Sequence, residues 1–322
     1  MTTDRDGPPR RAAFDPDVAQ VLAMIASSAR PSFDQMPLSA ARDAYRAGTG
    51  TSALPPLPLA EVRDLDLAGV PARLYRPAAT TGMAAGPGLV FLHGGGWVIG
   101  DLDTHDSICR HLAQATARTV IALDYRLAPE APLPAAYDDC AAAWAAILAD
   151  AETLGLAPDN LAMAGDSAGG AMAAMLAITA VNHGLTPPCA VLLFYPVLDL
   201  AGETPSYEAV ADVPFTASTM RWFLDLALRG QIGGDRLRQD LSPLRARSLA
   251  GFPPTFMTSC GHDPLCDEAF LFAARLRQAG IPFEHRHVPG HIHGYLTLGG
   301  LIGEAARSIA AAAAFLTNRS FA

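Results

Sequence analysis

Two segments carry the chemistry that can be read from this chain: Gly165-Asp166-Ser167-Ala168-Gly169-Gly170 and the glycine run His93-Gly94-Gly95-Gly96-Trp97. A serine hydroxyl attacks an acyl carbonyl once a base takes its proton, and main-chain N–H groups in a bare loop hold the oxyanion that forms. Gly-x-Ser-x-Gly alone is a weak signal in a chain with 28 glycines. Its setting strengthens it, because the apolar run 161–164 precedes it and a helical pattern opens at Ala168. A strand-turn-helix of that kind exposes the serine Oγ on a strained turn, and the helix start directs positive partial charge at it. A serine that merely capped a helix would not need the flanking glycines. The expected oxyanion donors are the N–H groups of Gly95, Gly96 and Ala168. His93 is expected to hold its loop by hydrogen bonds, and Trp97 to wall a pocket, with plain core packing as the alternative.

A serine nucleophile needs a base, and the base an orienting acid. Four of the nine histidines, His285, His287, His291 and His293, crowd into residues 285–293. No acidic residue follows them in the run, so the cluster lacks a metal-hydrolase pattern and no metal is expected. His285 and His287 alternate with Glu284 and Arg286, as on a charged edge strand. This leaves His291 and His293, of which His293 is preferred for its small neighbour Gly294. For the acid, Asp263 stands at the end of the apolar run 255–259, where catalytic loops gather in parallel sheets. Asp267 reads as a carboxylate complementing a helix start. The order Ser167, Asp263, His293 is that of α/β-hydrolase triads.

Positioning these groups takes a sizeable scaffold. The chain has 322 residues, half of them hydrophobic, enough for one large α/β domain. Short apolar runs at 88–92, 119–125, 161–164, 190–195, 255–259 and 283–288 alternate with helical patterns near 105–117, 134–150, 168–183, 266–279 and 303–317. This rhythm predicts a mostly parallel sheet covered on both faces. Before it, 62–67 and 70–75 read as an antiparallel entry. Helical patterns near 16–25 (Val18, Val21, Leu22 and Ile25 on one face) and from Ser39 precede a Gly/Thr/Pro-rich connector, 48–59. Residues 1–13 read as disordered, and 197–250 as an inserted, mainly helical segment.

Bulk composition excludes several functions. A net charge of −9 argues against a nucleic-acid partner. All 23 basic residues are arginine, which removes Ser-x-x-Lys, P-loop and Schiff-base chemistry. The five cysteines are odd in number and widely spaced, as in a reduced cytoplasmic protein. No signal peptide is read at the start, and the apolar stretch 168–181 is too short to span a bilayer.

With these residues assembled, the chain resembles the bacterial hormone-sensitive-lipase-like (family IV) carboxylesterases. The resemblance rests on His93-Gly94-Gly95-Gly96-Trp97, the segment 124–130 (Asp-Tyr-Arg-Leu-Ala-Pro-Glu), Gly165 to Gly170, Asp263-Pro264-Leu265 with Asp267-Glu268, and His293-Gly294-Tyr295. These motifs run from about residue 60 to 300 in the family's order. Many relatives have phenylalanine at the position of Tyr295. The residue types of 124–130 suggest only a loop shaped by Pro129.

The resemblance implies an α/β-hydrolase fold with an eight-stranded sheet and a helical cap. Here the cap would comprise 1–50 and 197–250, over a catalytic domain of 51–196 and 251–322. It implies cofactor-free hydrolysis of short- to medium-chain acyl esters, with Met24, Trp97, Phe215 and Trp222 as candidate pocket lining. Alternatives that share the constellation are an amide or lactone hydrolase and, from another class, a non-catalytic small-molecule receptor. The expected partner is a small ester, with no nucleic acid and no membrane. Some relatives pair through the last strand, so a homodimer is an expectation set against the charged Glu284 and Arg286.

Overall fold

The computed structural model describes residues 10–28, 30–202, 204–229 and 238–318. Eight strands form one sheet: β1 (Glu61–Leu67), β2 (Val70–Arg76), β3 (Gly86–Leu92), β4 (Thr119–Leu123), β5 (Leu156–Asp166), β6 (Val191–Phe194), β7 (Thr255–His262) and β8 (Phe283–Ile292). Their order across the sheet is β1-β2-β4-β3-β5-β6-β7-β8. The β1–β2 and β2–β4 pairs are antiparallel and all others parallel. The expected mostly parallel, eight-stranded sheet with an antiparallel entry is therefore what forms.

The central strands are apolar along their whole length because both of their faces are covered. Side chains alternate between the faces with period two. Leu89, Phe91, Val120, Ala122, Leu192 and Phe194 enter one core, shared with α1 (Pro16–Ser27), α3 (Asp106–Thr116) and α9 (Glu304–Thr317). Val90, Leu92, Ile121, Leu123, Leu193 and Met257 enter the other, shared with α4 (Ala135–Ala149), α5 (Ala168–Asn182) and α8 (Cys266–Gln278). Full burial of each such Val, Leu, Ile or Phe contributes roughly 1.5–3 kcal/mol, so the two cores hold the frame on which the site is built.

Several details differ from expectation. β5 starts at Leu156 and β8 runs on to Ile292, each longer than its apolar run. Residues 12–15 dock on β8 where it continues through Pro289-Gly290: Ala12 N–H donates to Pro289 O (3.1 Å) and Asp15 N–H to Gly290 O (3.1 Å). Residues 10–13 are thus held against the sheet, contrary to the disorder expected for 1–13; residues 1–9 lie outside the described residues. α2 (Leu38–Ser52) takes up the start of the expected connector. Among its described residues the inserted segment is less helical than its sequence suggests. Within 197–250 stand a short α6 (Ser206–Ala209), α7 (Ala217–Ala227) and one 3-10 turn (Pro243–Arg245), with residues 203 and 230–237 outside the described residues.

β8 is an edge strand, as Glu284 and Arg286 suggested. Arg286, however, turns back to Glu304 at 2.8 Å. His285 and His287 lie beside Phe270 and meet Ser259 Oγ, through His285 Nε2 at 2.8 Å and His287 Nδ1 at 2.9 Å. All five cysteines are free thiols. Among the described residues no helix is long and apolar enough to cross a membrane.

Candidate active site

Ser167 stands where β5 turns into α5, at φ 53° and ψ −118°, a strained conformation for a residue with a side chain. The turn is tight enough to demand glycine around it. A Cβ on Gly165 would lie 2.3 Å from the Gly169 carbonyl carbon, and one on Gly169 would lie 1.9 Å from Leu92 O. Ser167 caps nothing: its side chain makes no N-cap hydrogen bond. Its hydroxyl instead donates to His293 Nε2 at 2.8 Å. His293 Nδ1–H donates to Asp263 Oδ2 at 2.7 Å.

Asp263 follows β7 and is 1 % exposed, and its other oxygen accepts the Leu265 N–H at 2.9 Å. That bond fixes the carboxylate so that only one oxygen faces the imidazole. His293 follows β8, and Gly294 at φ 77° turns the chain immediately after it. The three residues expected to act together are therefore joined in one hydrogen-bonded chain. The runner-up His291 is buried elsewhere, its Nδ1 3.4 Å from Asp15 Oδ2. Asp267 sits in the first turn of α8, where it accepts the Ser206 N–H at 3.0 Å and pairs with Arg10.

The glycine loop follows β3. Among the described residues no protein acceptor takes the N–H of Gly95, Gly96 or Ala168, and all three residues adjoin Ser167 or line the cavity above it. The loop is braced from beneath. Gly94 N–H donates to Asp166 Oδ1 at 2.7 Å. His93 Nδ1–H donates to Gly94 O at 2.7 Å, and Tyr125 stacks on the His93 ring and donates its hydroxyl to His93 O at 2.6 Å. Burial, with the neighbouring His105 imidazole, pushes the His93 pKa down to about 4, so this histidine is a neutral strut. Burial raises the Asp166 carboxyl, but His105, 3.3 Å away, and the Gly94 N–H outweigh it and leave it below the usual range.

The segment 124–130, unreadable from its residue types, gains a physical role. Besides Tyr125 it supplies Glu130, to whose two carboxylate oxygens Arg42 of α2 donates from both terminal guanidinium nitrogens, at 2.8 Å each. The same arginine donates to Val98 O and Ala128 O at 2.9 Å each. Arg42 holds the Glu130 carboxyl down at about 2. One fork thus ties α2, the glycine loop and this segment together. Sequence reasoning missed it because the contacts cross 56 to 88 residues.

A cavity of about 510 Å³ opens above Ser167 and His293. Its walls come from α1 and α2 (Val21, Met24, Ile25, Tyr45), from Phe33, from the insertion (Val213, Phe215, Met220, Phe223) and from Leu298 and Leu301. Two of the four expected lining residues, Met24 and Phe215, are there. Two are not. Trp97 adopts φ 63° and its ring is fully buried in the core under the loop. Trp222 is only partly buried at the margin of that core and stands outside the cavity lining, while its buried neighbour Phe223 reaches the cavity. On a helix, adjacent residues point about 100° apart, so the wall is Met220 and Phe223.

Known proteins give an independent comparison. A model of the family described as the alpha/beta hydrolase fold matches residues 89–297. An ethyl acetate hydrolase of Pseudomonas putida is 37% identical over 238 residues, 73% of this chain and 74% of its own length. The Mycobacterium tuberculosis carboxylesterase NlhH is 34% identical over 304 residues, 91% of this chain and 93% of its own. An ester hydrolase from the Lake Arreo metagenome, solved with a bipyridine phosphonate derivative, superposes with TM-score 0.90 at 35% identity, covering 95% of this chain and 98% of that one. The chain belongs to the α/β-hydrolase fold family, within its bacterial hormone-sensitive-lipase-like (family IV) carboxylesterases.

Proposed function

We propose that this protein is a serine carboxylesterase that hydrolyses short- to medium-chain acyl esters through an acyl-enzyme on Ser167. The observation that carries the reading is the hydrogen-bonded series Ser167–His293–Asp263, at 2.8 and 2.7 Å, beneath an apolar cavity. Support also comes from relatives named as esterases on the same fold.

As Ser167 Oγ bonds to the ester carbonyl carbon, its proton passes to His293 Nε2. Asp263 orients the imidazole through Nδ1 and stabilises the imidazolium. The carbonyl oxygen becomes an oxyanion bound by the N–H groups of Gly95, Gly96 and Ala168. Collapse breaks the bond to the alkoxy oxygen, which leaves as alcohol with the proton from Nε2. Water then gives a proton to Nε2 and attacks the acyl-enzyme, and a second tetrahedral collapse releases the acid and restores the serine hydroxyl.

Apolar side chains of α1, Phe33 and the insertion would receive the acyl chain and exclude water from the reacting carbonyl. Elements from 1–50 and 197–250 serve as the two cap segments in this reading, on a catalytic domain of 51–196 and 251–322. Five free thiols fit a cytoplasmic setting. The test is turnover on a p-nitrophenyl ester series from acetate to octanoate beside matched anilides. The reading predicts rapid ester cleavage with a burst of p-nitrophenol; faster cleavage of the anilides, or none of the esters, contradicts it.

A further inference from the structure

The inserted segment touches both halves of the catalytic machinery. Phe215, in the loop just before α7, lays its ring on the His293 imidazole, with centroids 4.1 Å apart and planes 22° from parallel. Tyr195 meets the same imidazole edge-on, at 4.8 Å and 61°. Eight residues after Phe215, Phe223 presses on the glycine loop. A Cβ on Gly96 would come within 2.3 Å of Phe223 Cγ, so that contact exists only because residue 96 is glycine.

We propose that Phe215 is a positioning residue for the general base, and that the insertion, through Phe215 and Phe223, is a working part of the catalytic centre and not only its cover. This rests on the Ser167–His293–Asp263 reading. The physical reason is torsional. The histidine χ2 is a soft, broad rotor, and two hydrogen bonds at opposite ends of the ring leave tilting and swinging open. A flat ring stacked on the imidazole removes both motions. The positive charge that the imidazole gains during reaction also lies within the reach, about 6 Å, at which an aromatic face attracts a cation. Phe215 is half-buried and lines the cavity, so a role as wall alone would act through substrate affinity. A role in positioning acts on the chemical step.

Phe215→Leu and Phe215→Tyr separate these roles, assayed in the full-length enzyme with p-nitrophenyl acetate, a substrate too short to need the wall. Misplacing a catalytic group by an ångström costs on the order of a hundredfold. The proposal predicts a kcat roughly ten- to a hundredfold lower for Phe215→Leu with KM within about threefold, and recovery to within about threefold in Phe215→Tyr, which keeps the flat ring. The low-field proton resonance of His293 Nδ1–H should be sharp in the wild type and in Phe215→Tyr, and broadened or lost in Phe215→Leu. Unchanged kcat and resonance in Phe215→Leu, or a tyrosine variant as impaired as the leucine one, overturns the proposal. Phosphonate labelling distinguishes the two failures. If the wild type is labelled at Ser167 and Phe215→Leu labels equally fast, only the positioning role falls; if the wild type is not labelled at Ser167, the triad reading falls with it.

Discussion

Asp166 Oδ1 accepts the N–H of Gly94 at 2.7 Å, so the residue before Ser167, the proposed nucleophile, holds the loop proposed to carry the oxyanion donors. The two segments that stood out in the sequence are thus joined by one buried bond. Asp166→Asn keeps the shape but removes the charge and lets the amide rotate. kcat should fall on the order of tenfold or more with little change in KM, because the donors matter most when the oxyanion forms. Steady-state kinetics on one short ester decides it, and an unchanged kcat would remove Asp166 from the account.

Gly95 is at φ 117°, and a Cβ there would lie 2.1 Å from Ile99 O, a backbone atom that cannot swing away. Gly95→Ala therefore displaces the loop. Loss of an oxyanion donor costs about 10²–10³ in kcat. Affinity for a trifluoromethyl ketone, which forms the oxyanion on binding, should fall in parallel. A variant that loses neither would show that the donors lie elsewhere.

The two acids near α8 have separate tasks. Asp263 touches His293, while Asp267 accepts the Ser206 N–H and pairs with Arg10. Asp263→Asn should lower kcat by roughly 10⁴, from loss of the imidazole's orientation. Asp267→Asn should act mainly on stability, measured by thermal unfolding. A larger kcat loss from Asp267→Asn would reverse the assignment.

His93 gives a pH-dependent stability. Its pKa falls from 6.5 in the unfolded chain to about 4 in the fold, through burial and then the nearby His105. Between those values the unfolded chain binds a proton that the native state refuses, so stability present above pH 6.5 is lost as pH falls toward about 4. His93→Phe, which keeps the stack on Tyr125, should flatten the dependence of unfolding free energy in that window by about 1.4 kcal/mol per pH unit. Urea unfolding at several pH values reads the slope, and an unchanged slope would mean that His93 is not the titrating group.

The sequence carried most of the site because its requirements are local. Gly165 and Gly169 mark a turn that only glycine allows, and the continuous apolar strands mark a sheet covered on both faces. Asp263 and His293 were legible because each directly follows the end of a strand, at the end of the sheet where Ser167 also stands. What the sequence hid depends on rotation and distance. Trp97 faces the core because its residue takes a positive φ, which no residue type announces. Phe223 replaces Trp222 in the cavity wall because the phase of α7 is set by packing. The Arg42–Glu130 clasp joins residues whose proximity exists only after folding.

The central claim is that Ser167 attacks the ester. A phosphonate ester that inactivates the enzyme tests it directly. Peptide mapping by mass spectrometry should find one adduct, on Ser167, and Ser167→Ala should take up no label and lose on the order of 10⁶ in kcat. An adduct on one of the cysteines, or ester turnover that survives in Ser167→Ala, would contradict the account.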